Sequence, residues 1–376
     1  MKRIVYCIAG TYNSGGMERV LANKANWLVN NGYEVSIITT DQQGRQSFFA
    51  FDSRIRMYDL EINYEDNNGK SFLNKLIWYP YKQYKHKRRL KTLLLKLKAD
   101  VVISMFCNEA SILTKIKDGS KKVIEIHFSR FKRQQYGRQG IWRIADKLRS
   151  VNDLKIVSRY DRFVVLTEED KGYWQNLDNL CVIPNARSFI VEKPIELDKH
   201  RVLAVGRYCH QKSFDRLLQA WKIVCDHTDG WTLRIVGDGE DRGMLQELIN
   251  NLSLSNKVIL GRPEVDMESV YKEASILAMS SRYEGLPMVL LEAQAVGLPI
   301  VSFACKCGPK DVISDGIDGF LIPEGDINAL AGGLMKLMDD KQLRVDMGRQ
   351  AYLNSKRFDE AVIMDKWVDL FDSLDK

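Results

Sequence analysis

The feature that most constrains the fold is a regular alternation of short apolar runs with amphipathic stretches. The alternation occurs in two series along the 376 residues. Short strands that alternate with helices indicate parallel sheets covered on both faces. We therefore predict an α/β fold with two Rossmann-like, doubly wound domains that face a cleft. The first series of predicted strands is 3–9, 34–40, 101–106, 122–128 and 162–167, and the second is 202–206, 232–237, 257–261, 275–280 and 299–304.

The pattern pauses around residues 184–186, and this pause sets the predicted domain boundary. We place the first domain at 1–186, a linker at 187–199 and the second domain at 200–355. An amphipathic segment at 359–376 is expected to form a helix that crosses back to the first domain. Ligands of doubly wound domains bind at the carboxyl ends of the strands, which directs attention to the loops there.

Charge is distributed unevenly between the two predicted domains. Residues 1–186 contain 32 Lys/Arg and 19 Asp/Glu, whereas the remaining residues contain 24 and 30. The first half therefore carries +13 and the second −6, which favours an anionic partner for the first half.

Targeting and redox signals indicate a cytoplasmic protein. The first apolar run is too short for a signal peptide, and none approaches the ~18 apolar residues needed to cross a bilayer. The seven cysteines are scattered, and we interpret them as core thiols in a reducing compartment.

Two loops of the second domain have the residue types that bind phosphate. Gly206 and Arg207 end a predicted strand, and Lys212 follows just before a helix. An Arg fork and a Lys point charge suit a diphosphate, although a solvated loop is an equal alternative for these residues alone. The second loop contains Gly285, Leu286, Pro287, Met288 and Val289. Its backbone N–H groups at a helix start favour an anion.

A helix of otherwise apolar composition contains Glu292, with Glu284 just before its start. A carboxylate in the helix could accept hydrogen bonds from the two hydroxyls of a ribose. A carboxylate in the loop could lie beside the group that a diphosphate carries. The alternative is that Glu292 pairs with a nearby cation and Glu284 is solvated.

These motifs resemble the signature of the family-four, group 1 retaining glycosyltransferases, which have the two-domain GT-B fold. Glu284-x7-Glu292, Gly206-Arg207 with Lys212, and the segments VIPNA, IVGDGE and GFLIPEGD occur in the family's order. The resemblance covers nearly the whole chain. The resemblance extends to Gly15 and Gly16, in the run Gly-Gly-Met-Glu18-Arg19. This run looks like the N-terminal glycine loop of the family. It also looks like the glycine loop of bacterial N-acetylgalactosaminyl and related hexosyl transferases.

The resemblance implies a role for each matching residue. Glu292 would bind the ribose, Glu284 the donor sugar, and Arg207 and Lys212 the diphosphate as it leaves. His127, at a strand end, matches a family histidine that faces the sugar, although a lone histidine at such a place is more often structural. The remaining candidates are the backbone of Gly285, Leu286, Pro287, Met288 and Val289 with Gly261 and Arg262 for the donor, and Gly15, Gly16, Glu18 and Arg19 for the acceptor.

The family's usual mechanism implies retention of configuration, because the acceptor attacks the face from which the diphosphate leaves. The departing phosphate oxygen takes the acceptor proton, so no dedicated protein base is needed. The chain lacks the D-x-D pair that anchors a divalent metal in the other main glycosyltransferase fold. We therefore expect no cofactor and no metal, with UDP as the expected carrier of the donor sugar.

The acceptor side is predicted to contact a membrane. Residues 69–98 contain ten Lys/Arg and no acidic residue, with aromatic residues before most of the cations. Such a segment, with Lys85, Lys87, Arg88 and Arg89, suits an anionic interface, and 130–149 forms a second basic stretch. Some family members that extend polyprenyl-linked glycans carry a similar basic helix. The alternative is a solvated charged helix; nucleic acid is disfavoured because no nucleic-acid motif accompanies the segment.

We therefore expect a peripheral enzyme at the inner face of the cytoplasmic membrane, adding a hexose or N-acetylhexosamine to a lipid-linked or free saccharide. Two alternatives share this fold, a nucleotide-sugar epimerase and an inactive carbohydrate-binding protein. A nicotinamide-dependent oxidoreductase is disfavoured because the loop after the first strand lacks G-x-G-x-x-G, and it also lacks the Lys-Ser/Thr of a P-loop.

Overall fold

The computed structural model describes residues 1–67, 72–130, 141–174 and 177–375. The start of the predicted basic segment 69–98 and the centre of the stretch 130–149 lie outside these residues. The chain divides into two compact units. Unit 1 contains 1–166, 171–183 and 364–376, and unit 2 contains 167–170 and 184–363.

Unit 1 is built on a parallel sheet in the order β3-β2-β1-β4-β5-β6-β7. Chain order reverses between β1 and β4, so these two neighbouring strands flank a topological switch point. The strands are β1 (Arg3–Cys7), β2 (Glu34–Thr39), β3 (Arg56–Asp59), β4 (Val101–Ser104), β5 (Lys121–Glu125), β6 (Arg162–Val165) and β7 (Leu180–Val182).

Helices cover both faces of this sheet, as expected for parallel strands joined by crossovers. They are α1 (Gly16–Asn30), α2 (Phe72–Leu97), α3 (Ala110–Leu113), α4 (Ile141–Val157), the last part of α5 (Glu168–Tyr173) and most of α13 (Glu360–Ser373). The C-terminal helix α13 returns to unit 1, as expected. The Phe371 ring lies 6.1 Å from that of Tyr33, and Lys2 forms an ion pair with Asp372 at 2.8 Å.

Unit 2 repeats the plan with the sheet order β10-β9-β8-β11-β12-β13, and its switch point lies between β8 and β11. Its strands are β8 (Arg201–Val205), β9 (Thr232–Val236), β10 (Val258–Gly261), β11 (Ile276–Met279), β12 (Ile300–Phe303) and β13 (Gly319–Ile322). Its helices are α6 (Phe214–His227), α7 (Arg242–Asn251), α8 (Met267–Lys272), α9 (Met288–Val296), α10 (Pro309–Val312), α11 (Ile327–Asp339) and α12 (Lys341–Ser355).

Every predicted strand is present, but most are shorter than predicted at their carboxyl ends. The run 122–128, for example, is a strand only to Glu125. Apolar residues continue beyond the ladder because the loops at this edge are themselves buried, as Ile126 and Leu166 illustrate. The sequence prediction missed the short outer strands β3, β7 and β13, which contain three or four residues each.

The cysteine prediction is correct only in part. All seven are free thiols, but Cys107, Cys181, Cys209 and Cys225 are half-buried and only Cys7, Cys305 and Cys307 lie in the core. None of the helices in the described ranges is long and apolar enough to cross a bilayer.

Candidate functional site

Two loops meet at the switch point of unit 2, one after β8 and one after β11. Several hydrogen bonds join them. The Gln211 side chain donates to the carbonyl of Tyr283 at 2.9 Å, the Ser280 hydroxyl donates to the carbonyl of Lys212 at 2.9 Å, and the Arg282 amide donates to the carbonyl of Gln211 at 2.9 Å. The two loops therefore form one connected edge at the place where doubly wound domains bind ligands.

The ion pair between Lys212 and Glu284 lies on this edge. Lys212 Nζ is 2.7 Å from Glu284 Oε1, and the two side chains are only 17% and 8% exposed. Gln211 Nε2 approaches the second carboxylate oxygen at 3.4 Å. The Lys212 stem packs against Gly206, where a Cβ would lie 2.9 Å from Lys212 Cε. The pair thus has a defined position, with an ammonium and a carboxylate both available to a ligand that separates them.

The loop after Glu284 leads into helix α9. Pro287 precedes the helix as its N-cap, with φ −72° and ψ 113°. Gly308 packs against this loop with φ +95°, and a Cβ there would lie 2.8 Å from the carbonyl oxygen of Gly285. Only glycine tolerates both the positive φ and this close approach. Gly308 therefore lets the loop that contains Gly285, Leu286, Pro287, Met288 and Val289 pass directly beside it.

Glu292 lies in α9 and is 4% exposed. Its carboxylate accepts hydrogen bonds from the Ser188 hydroxyl at 2.7 Å and the Tyr271 hydroxyl at 2.9 Å. A buried carboxylate is costly without such donors. Hydroxyl donors on both oxygens show that its environment suits O–H groups, which are also what a ribose offers.

Among the described residues, three predicted donor residues form no hydrogen bond or ion pair with Lys212 or Glu284. Arg207 is exposed and forms no ion pair with any described residue, and Arg262 is exposed as well. Gly261 ends β10, and its carbonyl accepts a 2.6 Å hydrogen bond from Tyr208. Burial raises the pKa of Tyr208 to about 12, so its hydroxyl stays a donor at neutral pH.

The predicted glycine loop lies at the switch point of unit 1. Gly15 is the N-cap of α1, and a Cβ there would overlap the Glu18 carboxylate. The carboxylate, which Asn13 contacts at 3.4 Å, thus folds back over the helix start, where a negative charge is favoured. Gly16 begins the helix, and the Arg19 guanidinium stacks on Phe49 at 4.5 Å.

His127 follows β5 and lies beside a buried ion pair. Its Nε2 is 3.5 Å from Glu125 Oε1, and the other oxygen of Glu125 contacts Lys24. Lys24 Nζ in turn lies 4.2 Å from the ring centre of Trp367 in α13. Burial lowers the pKa of Lys24 despite this partner. Burial alone would raise the pKa of Glu125, but Lys24 and His127 hold it well below its usual value.

The four predicted membrane-binding cations all lie on α2, but they are not equivalent. Lys85 and Arg89 donate to the backbone carbonyls of Glu61 and Leu60, which ties the helix to the loop after β3. The side chains of Lys87 and Arg88 are exposed and form no ion pair with a described residue. Exposed aromatic residues share the helix: Trp78, Tyr79, Tyr81 and Tyr84.

The structure adds site residues that the sequence analysis missed: Gln211, Ser188, Tyr271, Glu125 and Lys24. Only Glu125 had a signal in the sequence, since it stands two residues before His127 and alternate strand residues share a face. Within the described residues, no three His, Cys, Asp or Glu side chains are grouped so as to hold a metal ion.

Comparison with known proteins identifies the family of the chain. The family model described as "Glycosyl transferases group 1" matches residues 186–354, and "Glycosyltransferase Family 4" matches 14–188. The amylovoran biosynthesis glycosyltransferase AmsD of Erwinia amylovora is 29% identical over 383 residues, covering 98% of this chain and 99% of that protein. An α-1,4-N-acetyl-D-galactosaminyltransferase of Campylobacter jejuni, which acts on an undecaprenol-linked saccharide, is 30% identical over 380 residues, covering 98% of each.

Solved structures show the same fold at low identity. Sucrose-phosphate synthase from Thermosynechococcus elongatus has a TM-score of 0.83 at 17% identity, over 100% of this chain and 99% of that chain. Staphylococcus aureus TarM has a TM-score of 0.80 at 16% identity, over 99% and 100%. The two doubly wound units therefore have the GT-B fold. The chain belongs to the family-four, group 1 glycosyltransferases, as its motifs predicted.

Proposed function

We propose that this enzyme transfers a hexose or N-acetylhexosamine from a UDP-sugar to a saccharide linked to polyprenyl diphosphate. The product would serve surface polysaccharide or glycoprotein glycan assembly. The observation that carries the proposal is the Lys212–Glu284 pair at the switch point of unit 2. The names of the relatives from Erwinia amylovora and Campylobacter jejuni support the pathway and the lipid-linked acceptor, respectively.

The donor would bind at the Lys212–Glu284 pair and separate its two charges. Lys212 and the exposed Arg207 would hold the diphosphate, together with N–H groups at the start of α9. Glu284 would then accept hydrogen bonds from hydroxyls of the donor sugar. Glu292 would bind the ribose, whose hydroxyls would replace or join those of Ser188 and Tyr271.

The chemistry would be a metal-independent transfer with retention of configuration. Negative charge builds on the β-phosphate as the C–O bond to the sugar breaks, and Lys212, Arg207 and the helix start would stabilise that charge. The acceptor hydroxyl would attack the same face of the sugar and pass its proton to the leaving phosphate oxygen. His127 would contact a hydroxyl of the sugar.

Helix α2 would bring the enzyme to an anionic membrane surface. Exposed aromatic rings beside the exposed cations Lys87 and Arg88 support this role, because the rings suit the interface and the cations suit anionic headgroups. Lys85 and Arg89 would act mainly by fixing the helix to unit 1.

A nucleotide-sugar panel tests the donor proposal. Thermal stabilisation would be measured with UDP-, GDP-, dTDP- and CMP-linked sugars, using the wild type and the Glu292→Ala variant. We expect a UDP-sugar to raise the melting temperature of the wild type by several degrees and that of the variant by much less. Stabilisation by a GDP-sugar alone, or equal stabilisation of both proteins, would contradict the proposed donor site.

A further inference from the structure

Glu125 is buried in a way that the proposed chemistry does not use. It is the last residue of β5, an inner strand between β4 and β6, and its side chain is 0% exposed. Burial of a charge is costly unless the charge is paired and hydrogen-bonded. Lys24 satisfies one carboxylate oxygen, but the other, Oε1, has no hydrogen-bond partner within the described chain.

The imidazole of His127 lies close to that oxygen. Its Nε2 lies 3.5 Å from Glu125 Oε1, is itself buried and likewise lacks a hydrogen-bond partner. The separation is longer than the ~2.9–3.0 Å typical of N–H···O bonds. Hydrogen bonds at catalytic sites are often long in the ligand-free state and tighten in the complex. Because both atoms are buried without another hydrogen-bond partner, they can pair with each other.

We propose that Glu125 is a positioning residue for His127: it accepts the Nε2 proton and leaves Nδ1 to accept a hydrogen bond from a substrate hydroxyl. This inference rests on the proposed function, in which His127 contacts the sugar. A carboxylate can only accept, so Nε2 must carry the proton, and the neutral ring then has its lone pair on Nδ1.

Lys24 keeps the carboxylate ionised for this task. The charged or titratable groups that act on Glu125 are Lys24 on α1 and His127 itself. Burial, together with the charge of Glu125, raises the pKa of Tyr6 on β1. Trp367 of α13 covers the Lys24 ammonium. Helix α13 thereby packs against the Lys24 end of the series of contacts Trp367–Lys24–Glu125–His127.

The test compares two variants that each remove one buried ion pair from unit 1. Lys24→Met with Glu125→Met removes the proposed acceptor. Asp118→Leu with Lys122→Met is the matched control, since that pair is equally buried, shares strand β5 through Lys122 and leaves Glu125 intact. Replacing both partners by apolar residues of similar volume is often tolerated, whereas removing one partner is not.

The first readout is the tautomer of His127, from ¹⁵N–¹H spectra of histidine-labelled protein. The chain contains five histidines, so His127→Gln assigns the signal. We expect the Nε2–H form with a hydrogen-bonded proton in the wild type and the control, and loss or upfield movement of that proton in the acceptor-free variant. The Nδ1–H form in the wild type, or an unchanged Nε2 proton in the acceptor-free variant, would overturn the proposal.

The second readout is the rate of sugar transfer. Loss of one hydrogen bond to a charged group predicts that kcat/KM falls about tenfold or more in the acceptor-free variant and changes less than about twofold in the control. Equal losses in both would indicate a merely structural role and overturn the proposal. Failure of the proposed function is distinguishable, because the wild type would then lack transferase activity while the tautomer measurement still decides the role of Glu125.

Discussion

Lys212 Nζ and Glu284 Oε1 lie 2.7 Å apart, so two residues assigned to different parts of the donor neutralise each other in the ligand-free enzyme. A bound diphosphate would compete with the carboxylate for the ammonium. The pair would therefore couple binding of the phosphates to release of Glu284 toward the sugar.

This coupling predicts opposite effects of two substitutions on UDP affinity. Glu284→Gln removes the repulsion between the carboxylate and the diphosphate, and should tighten UDP binding by about fivefold, on the order of 1 kcal/mol. Lys212→Met removes a charged donor and should weaken it roughly ten- to hundredfold, or ~1.5–3 kcal/mol. Both should lower turnover. Isothermal titration calorimetry with UDP measures the affinities, and similar weakening in both variants would argue against competition.

Glu292 gives a second test of the donor site. Glu292→Ala should weaken UDP binding by ~1.5–3 kcal/mol, because two hydrogen bonds from the ribose to a charged acceptor are lost. The matched control is Glu268→Ala, which removes a partly exposed glutamate from α8 of the same unit and should leave the affinity unchanged. Unchanged affinity in a folded Glu292→Ala protein would exclude the ribose role.

Sequence reasoning located the inner strands of both sheets but made no prediction of their order. Apolar runs identify inner strands such as β8 and β11, and glycine, proline and charged residues after them mark the loops at the carboxyl edge. The outer strand β3 was missed because its residues are half-exposed or exposed and show no apolar run.

The sequence also could not predict which side chains pair with each other. Lys212 and Glu284 are 72 positions apart, and Lys24 and Glu125 are 101 apart. Only the three-dimensional course of the sheets brings them together. The different environments of Lys85, Lys87, Arg88 and Arg89 likewise depend on where the loop after β3 passes α2.

Membrane binding should depend on the two exposed cations of α2. Lys87→Gln with Arg88→Gln should weaken binding to anionic vesicles by about 2 kcal/mol at low salt, since each cation near the surface contributes about 1 kcal/mol. Raised salt should reduce the difference. Arg349→Gln with Lys366→Gln, two exposed cations on α12 and α13, is the charge-matched control. Equal co-sedimentation of all three proteins with phosphatidylglycerol vesicles would identify α2 as an ordinary solvated helix.

His86 should make unit 1 sensitive to acid. It is 1% exposed between Lys85 and Lys87, contacts the Tyr64 hydroxyl at 3.1 Å, and burial lowers its pKa from 6.5 to about 4. Neutral His86 makes its full contribution to the stability of the fold above the unfolded-state pKa of 6.5. This contribution is lost as the pH falls from about 6.5 toward 4. Between pH 7 and 5 this loss amounts to about 2 kcal/mol.

Urea unfolding at the two pH values measures this loss. His86→Gln, which keeps a hydrogen-bonding side chain but does not titrate, should lose about 2 kcal/mol less than the wild type over that range. The exposed His227→Gln should behave like the wild type. The same loss in His86→Gln as in the wild type would assign the acid sensitivity to other groups.

The most direct test of the account is product analysis with a UDP-sugar and a polyprenyl-diphosphate-linked saccharide in the presence of EDTA. We predict that UDP is released only when the acceptor is present, and that NMR of the product shows the donor's anomeric configuration at the new linkage. Release of UDP without acceptor, inversion at the anomeric carbon, or activity that returns only when Mg²⁺ or Mn²⁺ is added would contradict the proposed retaining, metal-independent transfer.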